Sequence, residues 1–181
     1  ASVYGAFLKK LKKTAQNNLI LKPAELIIND QDHEVFNADI NEVAKKVSGD
    51  ILYLDPPYNH RQYATNYHLL ETIAKYDNPK IHGKTGLREY QNQKSLYCSR
   101  TQVKKAFKDL ILKAKAKYIF LSYNNEGLMT SDDIKEIMSL RGKYGHFTKE
   151  YNRFKADRDE NRDHKTNKTT EYLHYVVCKN L

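Results

Sequence analysis

The chain has 181 residues, of which 40% are hydrophobic and 29% charged, with a formal net charge of +9 and a pI near 9.3. That length supports one domain with a real core, and the positive charge points to an anionic partner, most commonly nucleic acid. No apolar run approaches the ~18–20 residues of a membrane span, and no secretory signal pattern is present. The two cysteines, Cys98 and Cys178, have no metal-pair spacing and make no disulfide framework, so free thiols in a reducing cytoplasm, and no metal centre, are expected.

In chain order, residues 2–16 carry Val3, Phe7, Leu8, Leu11 and Ala15 on one helical face and Lys9, Lys10, Lys12 and Lys13 on the other. This predicts an amphipathic basic helix suited to DNA phosphates or, as a second reading, to a membrane surface. Short apolar pieces follow around Pro23, and Val35-Phe36 reads as a strand running into Asn37-Ala38-Asp39. Ile40, Val43, Ala44 and Val47 recur at helical spacing, with Asp39 as the N-cap and Gly49 as the stop. A second strand begins at Ile51. Strand, helix, strand is the pattern of a parallel α/β layer.

That strand, Ile51-Leu52-Tyr53-Leu54, ends in Asp55-Pro56-Pro57-Tyr58. Proline removes an amide donor and disfavours a helical residue before it, so the chain leaves the strand in a fixed extended turn. Open α/β sheets place ligands at this end of a strand. Asp55 and the Pro56 carbonyl can each accept one hydrogen of an exocyclic amino group, and Tyr58 can stack on the ring that carries it. Stacking of this kind is worth about 1–3 kcal/mol per base, and enzymes that modify a base first flip it from the duplex.

Downstream, Asn66 is placed as the cap of a helix carrying Leu69, Leu70, Ile73 and Ala74. From Lys80 to Lys117 there are eleven Lys or Arg and only two acids, and residues 80–100 read as a basic loop, which in a compact domain is commonly functional. A helix from about Thr101, a strand from Tyr118 to Tyr123 ending in Asn124-Asn125, and a helix capped by Ser131 follow. Gly142 and Gly145 are expected to close that helix. Two last strands, near Phe147–Arg153 and Glu171–Cys178, flank a charged segment.

Asp55-Pro56-Pro57-Tyr58 resembles the catalytic motif of S-adenosylmethionine-dependent amino-group methyltransferases, and its Asp form resembles the enzymes acting on adenine N6. Asn59-His60-Arg61-Gln62-Tyr63 and the stretch from Asn66 to Ala74 are similar to the D12 class of adenine-specific DNA methyltransferases, the Dam-like group. The resemblance runs over nearly the whole chain. It implies site-specific methyl transfer from S-adenosylmethionine to adenine in double-stranded DNA, in a restriction-modification setting. The fold it implies is a Rossmann-like sheet, mostly parallel with an antiparallel last strand. Catalysis then falls to Asp55, Pro56, Pro57 and Tyr58, and cofactor contacts to Asp39, Ile40 and Asp55. Candidates for DNA contact are Asn59, Arg61, Gln62, Tyr63, Lys84, Arg88, Lys94, Asn124, Asn125, Arg153, Lys155 and Arg158.

The family's Gly-rich cofactor turn has no counterpart, because no two of the seven glycines have the GxG spacing. The chain starts at Ala1 and is expected to be the C-terminal part of a methyltransferase, a single partial catalytic domain over residues 1–181. Residues 1–24 would then be the end of a target-recognition region, with the first sheet strands missing. A preceding segment or a second chain would supply the cofactor turn. Two other functions stay open: an RNA base methyltransferase, since some guanine-N2 enzymes carry the same tetrapeptide, and a non-catalytic nucleic-acid-binding remnant.

Overall fold

The structure is a computed structural model and describes residues 13–18, 20, 22–152 and 168–179. The predicted N-terminal helix lies outside these residues except for a 3₁₀ turn at Lys13–Gln16. Arg153, Lys155 and Arg158 also lie outside them. The chain divides into two units, Ala1–Asn37 with Tyr67–Glu89, and Ala38–Asn66 with Tyr90–Leu181.

The larger unit is built on a four-stranded sheet of β1 (Ser48–Leu54), β2 (Lys115–Asn124), β3 (Gly142–Asn152) and β4 (Lys168–Cys178), ordered β1-β2-β4-β3. β1 and β2 are parallel, while β4 is antiparallel to both β2 and β3. The expectation of a mostly parallel sheet is therefore corrected for the described residues, where one pair of three is parallel. The antiparallel last strand is observed. Gly142 and Gly145, expected to end a helix, instead sit inside β3, where bare backbone is required. A Cβ on Gly142 would lie 2.0 Å from the Val177 carbonyl oxygen, and one on Gly145 would lie 2.3 Å from the Tyr175 hydroxyl.

Helix α1 (Ile40–Lys46) precedes β1. As expected, Asp39 is its N-cap, with Oδ1 accepting from the Asn41 amide at 2.9 Å. It ends at Val47 rather than Gly49, which belongs to β1. Between β1 and β2 in this unit come the one-turn helix α2 (Tyr63–Asn66) and α4 (Val103–Lys113), and α5 (Ser131–Ser139) joins β2 to β3. The cap of α5 is Thr130, not Ser131. Its hydroxyl accepts from the Asp133 amide at 3.1 Å, and the Asp133 carboxylate accepts from the Thr130 amide at 2.9 Å.

Val103, Phe107, Leu110 and Ile111 of α4 and Ile134 and Met138 of α5 are buried with Ile119, Leu121 and Tyr123 of β2 and Val176 of β4. These strand residues alternate, so one face of the sheet carries the core. Among the described residues, the opposite face carries exposed apolar side chains. Ile51 is cross-strand partner of Tyr118, and Tyr118 of Val177; all three are exposed, as is Tyr53. A side-chain joint ties α1 to α4. The Asn41 amide donates to the Ala106 carbonyl at 2.9 Å and to Asp109 at 3.0 Å, while the buried Tyr97 hydroxyl donates to Asn41 Oδ1 at 2.9 Å.

In the smaller unit, α3 (His68–Lys75) is capped by Tyr67, one residue beyond the expected Asn66, which ends α2. The expected Val35-Phe36 strand is absent. Both residues have no regular structure, and Val35 is 95% exposed. Two apolar residues carry too little pairing to hold a strand without a neighbour. Part of the basic loop also lies here and closes on itself, with His82 and Leu87 exchanging backbone hydrogen bonds at 2.8 and 2.9 Å.

Among the described residues, no helix is long and apolar enough to cross a membrane.

Candidate active site

β1 delivers the tetrapeptide. Leu54, its last residue, is buried beside Leu121 of β2, and the chain then breaks into exposed Asp55 and half-buried Pro56, Pro57 and Tyr58. All peptide bonds in the described residues are trans.

The Tyr58 side chain folds back over the strand end. Its hydroxyl donates to Asp55 Oδ1 at 3.0 Å and lies 3.0 Å from Ser122 Oγ on β2. Burial, offset in part by Ser122 and reinforced by Asp55, pushes the phenol pKa up to about 12. Tyr58 is therefore a neutral phenol throughout the working pH range, with its proton available to Asp55. Its ring sits 5.0 Å from that of Tyr123, tilted by 60°, a favoured geometry for an aromatic pair. The Tyr58 carbonyl accepts from the Leu128 amide at 2.9 Å and from the Tyr123 hydroxyl at 3.4 Å.

Tyr123 is itself fixed. It is 1% exposed, its hydroxyl accepts from the Met129 amide at 3.3 Å, and its ring fills the space where a Gly127 Cβ would stand, 2.1 Å away. Burial raises its pKa. The turn is thus held by the next parallel strand and by the loop leading to α5. Residues 122, 123 and 128 were missed in the sequence. The signal for Ser122 was a small polar residue inside an apolar strand, one position from its end.

The loop after the motif is tied to the segment around Ser95. Gln62 Nε2 donates to the Ser95 carbonyl at 3.1 Å, and its Oε1 accepts from the Ser95 amide at 2.8 Å. The buried Cys98 thiol donates to the Arg61 carbonyl at 3.4 Å, and burial raises its pKa. Asn59 Oδ1 accepts from the Arg61 amide at 2.9 Å. Gln62 acts here as a positioning residue, while the Arg61 and Tyr63 side chains stand exposed.

Asn124 ends β2 and Asn125 opens the turn after it, and both turn toward β4. Asn125 Oδ1 accepts from the Thr170 amide at 3.1 Å and its own amide donates to the Thr170 carbonyl at 3.1 Å. The Asn124 side chain accepts from the Glu126 amide at 3.1 Å and reaches Glu171 at 3.5 Å. These contacts fasten the strand ends.

Exposed Lys94 lies 5.7 Å from the centre of the Tyr90 ring. In the smaller unit Lys84 is exposed, but Arg88 is not presented to a partner. It is 9% exposed, and its guanidinium grips Asp77 through Nη1–Oδ1 at 3.1 Å and Nη2–Oδ2 at 2.5 Å. Arg88 is one of the candidates for DNA contact, and its fork here serves a carboxylate within the fold.

A strand-end carboxylate, an adjacent proline and an anchored tyrosine ring stand together on this one turn. The profile of the D12 class N6 adenine-specific DNA methyltransferases matches residues 1–137, and the chain belongs to that family. It is 58% identical over 97% of its length to Type II methyltransferase M.NlaIII of Neisseria lactamica, covering 52% of that protein. It is 42% identical over 97% of its length to Type II methyltransferase M.FokI of Planomicrobium okeanokoites, covering 27%. With Type II methyltransferase M.CviAII of Paramecium bursaria Chlorella virus 1 the identity is 36% over 98% of the chain, covering 52%. The chain thus spans about half or less of the curated relatives it matches. No solved structure matches it.

Proposed function

We propose that this chain is the catalytic part of a site-specific DNA methyltransferase of a restriction-modification system, which moves a methyl group from S-adenosylmethionine to adenine N6. The observation that carries this reading is the anchoring of Tyr58 to both Asp55 and Ser122. It fixes a carboxylate, a carbonyl and a ring face on one turn.

The adenine amine is a poor nucleophile because its lone pair is delocalised into the ring. In our reading, Asp55 and the Pro56 carbonyl accept its two hydrogens. That favours a more tetrahedral nitrogen and stabilises the positive charge that develops there. The Tyr58 ring holds the base plane, and alignment supplies most of the remaining rate. Asp55 is exposed, so the released proton passes to water without a buried relay. S-adenosylmethionine, when bound, supplies a methyl group already activated as a sulfonium.

The residues near α1 fit one end of that cofactor. Asp39 is an exposed carboxylate with one oxygen engaged by Asn41. Ile40 beside it is 37% exposed and suits the face of a flat ring. The Gly-rich turn would come from polypeptide outside the 181 residues, as the half-length coverage of the relatives supports. Such polypeptide would complete a Rossmann-like sheet on the open edge of β1. Arg61, Tyr63, Lys84 and Lys94, with Arg153, Lys155 and Arg158, form the DNA-contacting set.

The test is Asp55→Ala in the full-length protein, assayed with radiolabelled cofactor on duplex DNA. Loss of one such contact at the reacting centre costs roughly 10²–10³-fold, with DNA affinity unchanged. Retention of more than about a tenth of the rate would remove Asp55 from the chemistry.

A further inference from the structure

Ser122 breaks the pattern of its strand. Along β2 the side chains of Ile119, Leu121 and Tyr123 are buried, and the alternate set, Tyr118, Phe120 and Ser122, faces the other way. Two aromatics are thus followed by a hydroxyl. Strands favour β-branched and aromatic residues, and the cross-strand partner of Ser122 on β4 is Leu173, whose side chain has no group to bond it. Neither strand preference nor that neighbour accounts for a serine here.

The pairing of β1 with β2 does account for it. Leu54 is level with Leu121, so the next step along the two parallel strands sets Ser122 level with Asp55. Ser122 Oγ lies 3.0 Å from the Tyr58 hydroxyl, and that hydroxyl donates to Asp55 Oδ1 at 3.0 Å. A phenol has one proton to give. With that proton committed to Asp55, the contact to Ser122 is a hydrogen bond only if Ser122 donates and the phenol oxygen accepts. The three groups therefore form a chain with one direction, from Ser122 to Tyr58 to Asp55. Hydrogen bonds in series polarise one another, so a donor on the phenol oxygen strengthens the phenol as a donor to the carboxylate.

We propose that Ser122 is a positioning residue for methyl transfer, which acts through the Tyr58 hydroxyl to hold Asp55 by Oδ1 and leave Oδ2 to receive a hydrogen of the target amine. The proposal rests on the reading of Asp55 as an acceptor at the adenine amine. Asp55 is exposed, and an exposed carboxylate rotates about its own side-chain bonds unless one oxygen is tied. The tie sets its plane before the base arrives, so that orientation is not lost from the rate. Ser122 itself need touch neither base nor cofactor.

The experiment uses the full-length protein, with single-turnover methyl transfer from radiolabelled cofactor to duplex DNA and fluorescence anisotropy for duplex affinity. Ser122→Thr and Ser122→Val have the same shape, suit a strand equally and differ in the hydroxyl alone. Ser122→Thr should transfer methyl groups roughly 2- to 10-fold faster than Ser122→Val or Ser122→Ala, with the same duplex affinity in all three. In a Tyr58→Phe background the chain is already cut, and the Thr and Val substitutions should then give equal rates. A merely structural role for the hydroxyl would separate them in both backgrounds. If Ser122→Val runs as fast as Ser122→Thr, or if the gap between them survives in the Tyr58→Phe background, the role of Ser122 is refuted and the methyltransferase reading stands. If the wild-type protein transfers no methyl group to duplex adenine, both are refuted.

Discussion

Replacing Tyr58 with phenylalanine separates the two roles proposed for this side chain. The ring stays, with its 5.0 Å approach to Tyr123, while the hydroxyl contacts to Asp55 and Ser122, each 3.0 Å, are lost. A hydrogen bond to a neutral group contributes about 0.5–1.5 kcal/mol and one to a carboxylate up to about twice that. Because Asp55 is exposed, the lower end of each range applies, and the two together come to roughly 1–2 kcal/mol. If the hydroxyl serves to orient Asp55, that amount appears in the barrier, and about 1.4 kcal/mol is tenfold in rate. Tyr58→Phe should then lower single-turnover methylation by about tenfold with little change in DNA affinity. Tyr58→Ala also gives up base stacking, worth about 1–3 kcal/mol, and should fall by a further 10- to 100-fold, roughly. The assay is rapid-quench methyl transfer with enzyme in excess over duplex. A Tyr58→Phe enzyme at full rate would show the anchor to be idle, and equal rates for the two variants would show that the ring touches no base.

Gly127→Ala drives a methyl group into the buried Tyr123 ring; overpacking of this kind costs about 1–3 kcal/mol, and urea unfolding together with methylation should show stability and rate falling together. Stability should also fall in mild acid. His174 is 1% exposed, and burial, with His146 adding to it, lowers its pKa from an ordinary 6.5 to about 4. The unfolded chain then binds a proton below about pH 6.5 that the folded chain refuses until about pH 4, so unfolding midpoints should drop across that window and His174→Gln should flatten the drop. Arg88→Ala leaves Asp77 without its partner and should lower the melting temperature of the chain, while Arg88→Lys recovers only part of the loss because an ammonium cannot make the two-pronged contact. If Lys84 and Lys94 meet phosphates, their joint reversal to Glu should weaken all DNA sequences alike and flatten the salt dependence, by a log–log slope of roughly 0.9 per lost phosphate contact; fluorescence anisotropy over a salt series decides it.

The turn at the end of β1 was legible in the sequence because two adjacent prolines after an apolar run admit few conformations, and α1 because its period and its Asp39 cap agree. Where the sequence misled, the deciding contacts lie far along the chain. Gly142 and Gly145 carry punctuation that fits a helix end equally well, and only the Val177 carbonyl and the Tyr175 ring across the ladder make them strand residues. Val35-Phe36 has strand chemistry without a strand beside it. No local pattern reveals that the Arg88 and Asn125 side chains meet Asp77 and Thr170. Ser122 and Tyr123 entered the site through register, since β2 runs parallel to β1, a fact that no window of either strand contains.

The hydrogen bond from the Leu128 amide to the Tyr58 carbonyl gives the site a place in time as well as in space. Its two ends are separated by seventy positions, and closing so wide a loop is unfavourable until the intervening helix and strand have condensed. The turn is therefore expected to form late in folding, after β2 and the start of α5 have docked. The Leu128 amide is its natural clock. In pulse-labelled hydrogen exchange it should gain protection after the amides of α4, and in the native protein its opening should mark the moments at which the active turn comes apart.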